Sequence, residues 1–134
     1  MIKVLDAHAL MIYLEKEPGY EIILDLFINL SQSDKKAFMT SVNWGEVYYI
    51  TMREKGQSEA EQIIKIIDTF PIEVVQVDKI LAKQAAAYKA TKKMSYADCF
   101  AAALAKQKKA ELLTGDKEFK EVEGEINVLW IREK

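Results

Sequence analysis

The sequence predicts an α/β fold with a mainly parallel sheet, and three observations lead there. Short β-favouring runs alternate along the chain with segments of helical spacing. The connections between them are short, and parallel neighbours need crossover helices of the kind this alternation supplies. The chain has 134 residues, half of them hydrophobic and 30% charged. That suits one domain over residues 1–134 with one core burying about two-thirds of the unfolded surface, and it is too little chain for an eight-unit barrel.

Each element has its own signal. Ile2-Lys-Val-Leu5 is a β-favouring run at the terminus, the pattern of a strand in the middle of a sheet, and Asp6 ends it. Residues 7–16 carry Leu10, Met11 and Leu14 on one helical face, and Pro18-Gly19 breaks that helix. A second helix follows with Tyr20, Ile23, Leu24 and Phe27 on one stripe and Ile22, Leu26 and Leu30 on another; a helix apolar on two sides sits deep in a core or against another subunit, which points to a homodimer. Ala37–Thr40 reads as the second strand, with Ser41 or Asn43 capping a helix from about Trp44 to Lys55 that Gly56 stops. Ala60, Ile63, Ile64 and Ile67 keep helical spacing as far as Phe70-Pro71, and the β-branched run Ile72–Val77 is the third strand. Asp78 caps a helix over about 79–90, and Ser95 opens another from Tyr96 to about Lys108. Glu111–Thr114 is a strand, Asp116–Glu121 a short helix and Ile126–Ile131 the last strand.

Composition excludes several function classes. One cysteine, Cys99, allows no internal disulfide, and with His8 the sole histidine there is no structural zinc cluster and little material for a Ser-His or Cys-His relay. His8, two residues past Asp6, reads as a packed or partly exposed structural histidine, with contact to a substrate near the site as the other reading. The five glycines never form a phosphate-cradling loop. The longest uncharged run, Ala37–Gly45, falls far short of the ~18 apolar residues of a membrane span, and the start shows no signal-peptide pattern, so a cytoplasmic location with no membrane partner is expected. The net charge of −2 hides an uneven distribution. Lys79 to Lys109 holds eight lysines against one acid, Asp98, for a net +7, a candidate phosphate-backbone footprint whose plain alternative is a solvated helix face.

Ligands in such sheets bind beyond the carboxyl ends of the strands. Asp6 and Asp116 follow strands directly, and Glu46 and Asp98 are placed in first turns of helices that can face the same edge. Each acid alone has a capping explanation: Asp6 and Asp116 as N-caps, Asn43 to Glu46 and Ser95 to Asp98 as capping boxes. Two points weigh against capping for the set. Ser, Thr or Asn would cap as well, and Asp98 has the apolar neighbours Ala97, Cys99 and Phe100, where an ionised group needs a partner. Clustered carboxylates without arginine or histidine repel one another, the usual reason to infer a hard cation, and an all-oxygen set suits Mg²⁺ or Mn²⁺. Such an ion activates water and stabilises charge on a phosphate, which makes a phosphodiesterase without a histidine base. A phosphoryl-accepting enzyme using Asp6 as nucleophile is a competing reading, although the second acid two positions on that such phosphatases carry is here His8.

The succession Val4-Leu-Asp6, Trp44-Gly-Glu46-Val, Met94-Ser-Tyr-Ala-Asp98-Cys-Phe-Ala-Ala-Ala-Leu-Ala105 and Leu113-Thr-Gly-Asp116-Lys-Glu-Phe119 resembles the PIN-domain family, and within it the VapC-like toxin ribonucleases. The resemblance runs from residue 1 to about 131. It implies a three-layer α/β/α sandwich with a parallel sheet of about five strands and Mg²⁺- or Mn²⁺-dependent endoribonuclease activity. It also implies frequent dimerisation and an antitoxin whose tail occupies the active-site groove. Position by position, Asp6, Glu46, Asp98 and Asp116 match the family's acidic metal ligands, and Thr114 matches a hydroxyl residue supporting the site by hydrogen bonding. In the reaction this implies, Asp6, Asp98 and Asp116 hold the ion and Glu46 helps bind it or positions the attacking water, while Lys92, Lys93 and Lys106 contact RNA. Trp44 and Tyr96 flank two of the acids and read as core or rim packing rather than base-stacking platforms. The chain departs from the pattern at Ala7-His8, where the family often has Ser or Thr after the first acid. The alternative is a PIN-like module that keeps its acids for folding or weak metal binding and acts only through RNA or protein contacts.

Overall fold

β1 (Lys3–Leu5) occupies the centre of a five-stranded sheet, as expected of a short apolar run. In the computed structural model, which describes residues 1–132, the elements follow as α1 (Ala7–Leu14), α2 (Tyr20–Gln32), β2 (Ala37–Thr40), α3 (Ser41–Lys55), α4 (Gln57–Ile67), β3 (Ile72–Val75), α5 (Lys79–Thr91), α6 (Tyr96–Lys108), β4 (Glu111–Thr114), a 3-10 helix (Lys117–Val122) and β5 (Asn127–Trp130). The strand order is β3-β2-β1-β4-β5 and every pairing is parallel. The chain therefore winds outward from β1 to β3 on one side, then returns to begin again at β4 on the other. The reversal falls between β1 and β4, the place where open α/β sheets leave a crevice at their carboxyl ends.

Alternation along β1 and β4 divides the interior in two. Val4 and Leu112 face a core shared with α5, α6 and the 3-10 helix, while Leu5 and Leu113 face a second core built with α1, α2 and α4. The result is the α/β/α sandwich that the sequence predicts. In α6 every residue from Asp98 to Ala105 is buried. Its alanines carry side chains short enough for the helix to lie directly against the sheet, where it contacts β1, β2 and β4. The N-terminal turn of α6 is thus pinned above the strand ends.

Boundaries differ from expectation in informative places. Helix α3 starts at Ser41, and its cap is the Thr40 hydroxyl, which accepts the Asn43 N–H at 3.0 Å, rather than Ser41 or Asn43. Glu46 consequently lies in the second turn of α3, not the first. The third strand stops at Val75 rather than Val77, and the short helix expected after Asp116 is of the 3-10 kind. Gly19 joins α1 to α2 at φ 102°, and a Cβ there would stand 2.1 Å from the Ile131 carbonyl oxygen, so both backbone and space demand glycine. The two-sided apolar pattern of α2 leaves Ile22, Leu24 and Ile28 exposed, while Leu26 and Leu30 pack partly against the core. Among the described residues no helix is long and apolar enough to cross a membrane.

Candidate active site

Asp6 leaves β1 with extended backbone and caps α1, its Oδ1 accepting the Ala9 N–H at 2.8 Å. Its Oδ2 accepts the Thr114 hydroxyl at 2.5 Å. The same hydroxyl oxygen accepts the Asp116 N–H at 2.9 Å, so one threonine ties together the chain leaving β1 and the chain leaving β4. Asp116 in turn caps the 3-10 helix, its Oδ1 accepting the Glu118 N–H at 2.9 Å. Asp98, in the first turn of α6, follows the Ser95 cap, whose hydroxyl oxygen accepts the Asp98 N–H at 3.2 Å. The capping explanation for these acids is therefore correct for Asp6 and Asp116, and it does not prevent the carboxylates from gathering, because a carboxylate has two oxygens.

Glu46 arrives by a different route. Asn43, fully buried, accepts the Thr40 hydroxyl on Oδ1 at 2.6 Å and donates from Nδ2 to Glu46 Oε1 and to the Ala97 carbonyl, both at 3.1 Å. One amide thus orients Glu46 and fastens α3 to the start of α6. Sequence reasoning took Asn43 only as a candidate cap, and its position as a polar residue within the α3 repeat was the available signal for more.

Asp98, Asp116 and Glu118 each offer a ligand oxygen within 4.8 Å of the others. Glu118 was not singled out from the sequence. It stands two residues past Asp116, and a cap is followed at that distance by a side chain of the first turn, which here comes back toward the cap. Its Oε1 also accepts the Ser95 N–H at 2.7 Å, which fixes it against α6. Asp6 and Glu46 stand around this trio rather than in it, and both raise charges against its members.

Electrostatics agree with a site short of positive charge. Burial pushes the Asp98 carboxyl up to about 10, with the Asp6 charge and then Glu118 and Asp116 acting in the same direction. Burial raises Asp6 to about 7, although its hydrogen bonds from Thr114 and Ala9 pull the other way. Glu46 is raised too, first by burial, with Asp116 and Glu118 adding to it and the Asn43 amide opposing. A groove of about 400 Å³ brings Glu46, Asp98 and Asp116 beside Glu15, Glu17 and Glu54, with Asp6 buried behind it. Among the described lining residues Arg132 is the one cation.

The residues present fit a hard divalent cation. Oxygens around an octahedral Mg²⁺ stand about 3 Å apart when adjacent and about 4.2 Å when opposite, so a trio spanning at most 4.8 Å closes on the ion with small side-chain movements. No histidine or thiolate competes in the set, since Cys99 is buried within α6.

The lysines of the basic segment have different partners. Lys92 pairs with Glu125 at 2.8 Å, Lys89 donates to the Met94 carbonyl, and Lys108 lies 4.0 Å over the Phe38 ring. Lys92 and Lys93 sit on the loop into Ser95, with the Lys93 N–H donating to Glu121. Lys106 is eight residues past Asp98 on α6, about 12 Å further along the helix. Trp44 stacks on Tyr48 and is partly buried, whereas Tyr96 is 47% exposed against Phe100.

Solved structures share this architecture. One is VapBC2 from Rickettsia felis, solved with a promoter DNA fragment, at 17% identity and TM-score 0.74 over 96% of this chain and 98% of that one. Another is the DNA-bound VapBC of Salmonella typhimurium, at 16% identity and TM-score 0.74 over 98% and 99%. VapC20 of Mycobacterium tuberculosis, described as a sarcin-ricin loop cleaving toxin, matches at 15% identity and TM-score 0.66 over 88% and 92%. Identities this low establish the fold. Among curated proteins none matches the chain. The family model described as PIN domain matches residues 3–125, a span that takes in β1, the acids at the strand ends and the 3-10 helix, and the protein is thus a member of the PIN domain family.

Proposed function

We propose that the protein is a divalent-metal-dependent endoribonuclease and the toxin of a toxin-antitoxin pair. The observation that carries the reading is the convergence of Asp98, Asp116 and Glu118 within 4.8 Å at the switch point of the sheet, ringed by Asp6 and Glu46 and open to a groove. Asp98, Asp116 and Glu118 would hold Mg²⁺ or Mn²⁺, with Asp6 the fourth acid of the cluster. When bound, the ion supplies Lewis acidity at a phosphate oxygen and lowers the pKa of water. Thr114 holds Asp6 and the Asp116 backbone in register. Glu46, which accepts a hydrogen bond from Asn43 and is raised in pKa by burial at the groove wall, would orient the attacking water and take its proton. The phosphodiester is then cleaved by in-line attack, with Lys93 and its neighbours on the loop into α6 contributing to RNA binding.

The partner reading rests on the toxin-antitoxin complexes among the structural neighbours and on a second groove. A cavity of about 600 Å³ between α1–α2 and α3–α4 is lined by Tyr13, Leu24, Ile63 and Ile66, and it shares Met11, Glu15 and Glu54 with the acidic groove. An antitoxin segment with an apolar helix leading into a basic tail would fill both. A homodimer, using Ile22 and Ile28 on the exposed side of α2, completes the assembly.

Purified protein incubated with structured and unstructured RNA in Mn²⁺ or EDTA tests the activity. Cleavage in Mn²⁺, lost in EDTA and in Asp98→Asn, is the expected result. An Asp98→Asn variant that cuts as fast as wild type overturns the site assignment, and RNA binding without cleavage in wild type favours the non-catalytic module.

A further inference from the structure

A groove walled by acids repels a polyanion everywhere except at its cation, so the surroundings of Arg132 bear on how RNA is held there. Ile131 continues the pairing of β5 with β4, its N–H donating to the Thr114 carbonyl at 3.0 Å, which delivers the next residue to the carboxyl edge beside the acids. The Arg132 guanidinium is held at two points: Nη1 lies 3.2 Å from Glu17 Oε1, and Nη2 lies 3.0 Å from His8 Nε2. Guanidinium only donates, so His8 Nε2 is the acceptor and the imidazole is neutral with its proton on Nδ1. That Nδ1 is buried and has no hydrogen-bond partner among the described residues.

The seat of the pair is Gly115, between Thr114 and Asp116. A Cβ at 115 would stand 3.0 Å from His8 Cε1, 3.1 Å from His8 Nδ1 and 3.1 Å from Arg132 Cγ. Both side chains therefore rest on the bare backbone of the residue preceding a proposed metal ligand. The ring is oriented by its Nε2 contact to Arg132 and by its seat over Gly115, with Nδ1 making no hydrogen bond, so its polar contact among the described residues is the guanidinium it steadies. With two contacts made, Arg132 keeps donors free, and a preorganised guanidinium is the side chain best matched to a phosphate.

We propose that Arg132, positioned by His8 and Glu17 on Gly115, contacts a backbone phosphate of the RNA beside the metal cluster. The inference rests on the nuclease reading and adds to it the residue that lets an anionic strand enter an acidic groove. Arg132 touches the substrate; His8 is a positioning residue acting through it.

The test uses the full chain in Mn²⁺ with a labelled single-stranded RNA, measuring kcat, KM and the salt dependence of KM for wild type, Arg132→Ala, Arg132→Lys, His8→Leu and His8→Gln. Arg132→Ala should raise KM about tenfold, the scale of one charge-assisted contact, with kcat within about twofold and the salt slope smaller by about one. Arg132→Lys should keep the slope and recover part of the affinity. His8→Leu should raise KM less than Arg132→Ala and add nothing to it in the double variant, and His8→Gln, which retains an acceptor, should restore the wild-type value. Mn²⁺ affinity should be the same throughout. If Arg132→Ala does not fold, Arg132→Gln, which keeps the stem against Gly115, carries the same expectation. A wild type that cleaves RNA beside an Arg132→Ala variant with unchanged KM and slope overturns this inference and leaves the nuclease reading standing. A fall in kcat at constant KM also overturns it. If wild type cleaves no RNA in Mn²⁺, the nuclease reading fails and this inference with it.

Discussion

Strands β1 and β4 lie side by side, and their two ends treat charge in opposite ways. At the amino end Lys3 and Glu111 are register partners and form an ion pair at the partly exposed sheet edge. At the carboxyl end the same two strands release Asp6 and Asp116, which Asp98, Glu118 and Glu46 join, and among the described residues lining the groove Arg132 is the one cation. The amino end uses charge as a folded protein ordinarily does, neutralised and near water, where it contributes little. The carboxyl end gathers acids whose ionisation is costly there, so without a ligand they hold protons that ordinary carboxyls would release. The difference marks one end as scaffold and the other as a site kept for chemistry.

The largest effect expected from breaking this contrast is at Asp98. Asp98→Asn removes the most strongly perturbed acid of the cluster, so RNA cleavage in Mn²⁺ should fall by at least about a thousandfold in a gel assay. Because burial already keeps Asp98 protonated around neutral pH, the neutral amide replaces a neutral carboxyl and the melting temperature without metal should stay close to that of wild type. Retained cleavage, or a sharply lower melting temperature, would show that Asp98 serves the fold rather than the ion.

The pH dependence of the metal-free protein comes next. Asp6 and Asp98 are raised to about 7 and about 10, above their unfolded values, so between those limits the folded chain holds more protons than the unfolded chain. Stability then falls as pH rises, over about 4 to 7 through Asp6 and further through Asp98. Melting temperatures in EDTA should be higher at pH 5 than at pH 8. Mn²⁺ should reduce or reverse the slope, because it binds the deprotonated carboxylates. An EDTA curve that rises from pH 5 to pH 8 contradicts the unpaired character of the cluster.

Asn43→Ala sharpens the comparison at the site's support. It frees Glu46 and leaves the Thr40 hydroxyl and the Ala97 carbonyl without this partner, at a cost of about 1–3 kcal/mol in denaturant unfolding. Cleavage should fall by more than that loss of stability explains. The smallest effect belongs to the amino end: Lys3→Ala should change stability by no more than about 1 kcal/mol and leave cleavage as in wild type. A loss of activity there would mean that the two ends are coupled.

The legible part of the fold was its order. Alternating β-branched runs and helical spacing locate all five strands, and the carboxyl-edge rule directs attention to Asp6 and Asp116. Glu118 was harder to read because its role depends on a 3-10 turn that brings the second residue after a cap back toward it, a geometry with no signature in residue type. Arg132 was illegible for a different reason. One arginine near the end of a charged chain looks like a solvated residue until β5 is paired with β4 and carries it to the groove. What the +7 segment builds was also illegible from its charge alone: folding sets α5 beside α6, where Lys92 pairs with Glu125 and Lys92, Lys106 and Glu125 line one hollow.

The sequence by itself determined the order of elements, the caps at Asp78 and Ser95, and the absence of any metal ligand softer than a carboxylate apart from His8 and Cys99, because propensity, periodicity and composition act over neighbouring residues or over none. Only the tertiary structure decided which acids meet. Asp6 and Thr114 are 108 positions apart and 2.5 Å across a hydrogen bond, brought together by the parallel pairing of β1 with β4, and such a contact is set by strand order and register rather than by anything near it in the chain.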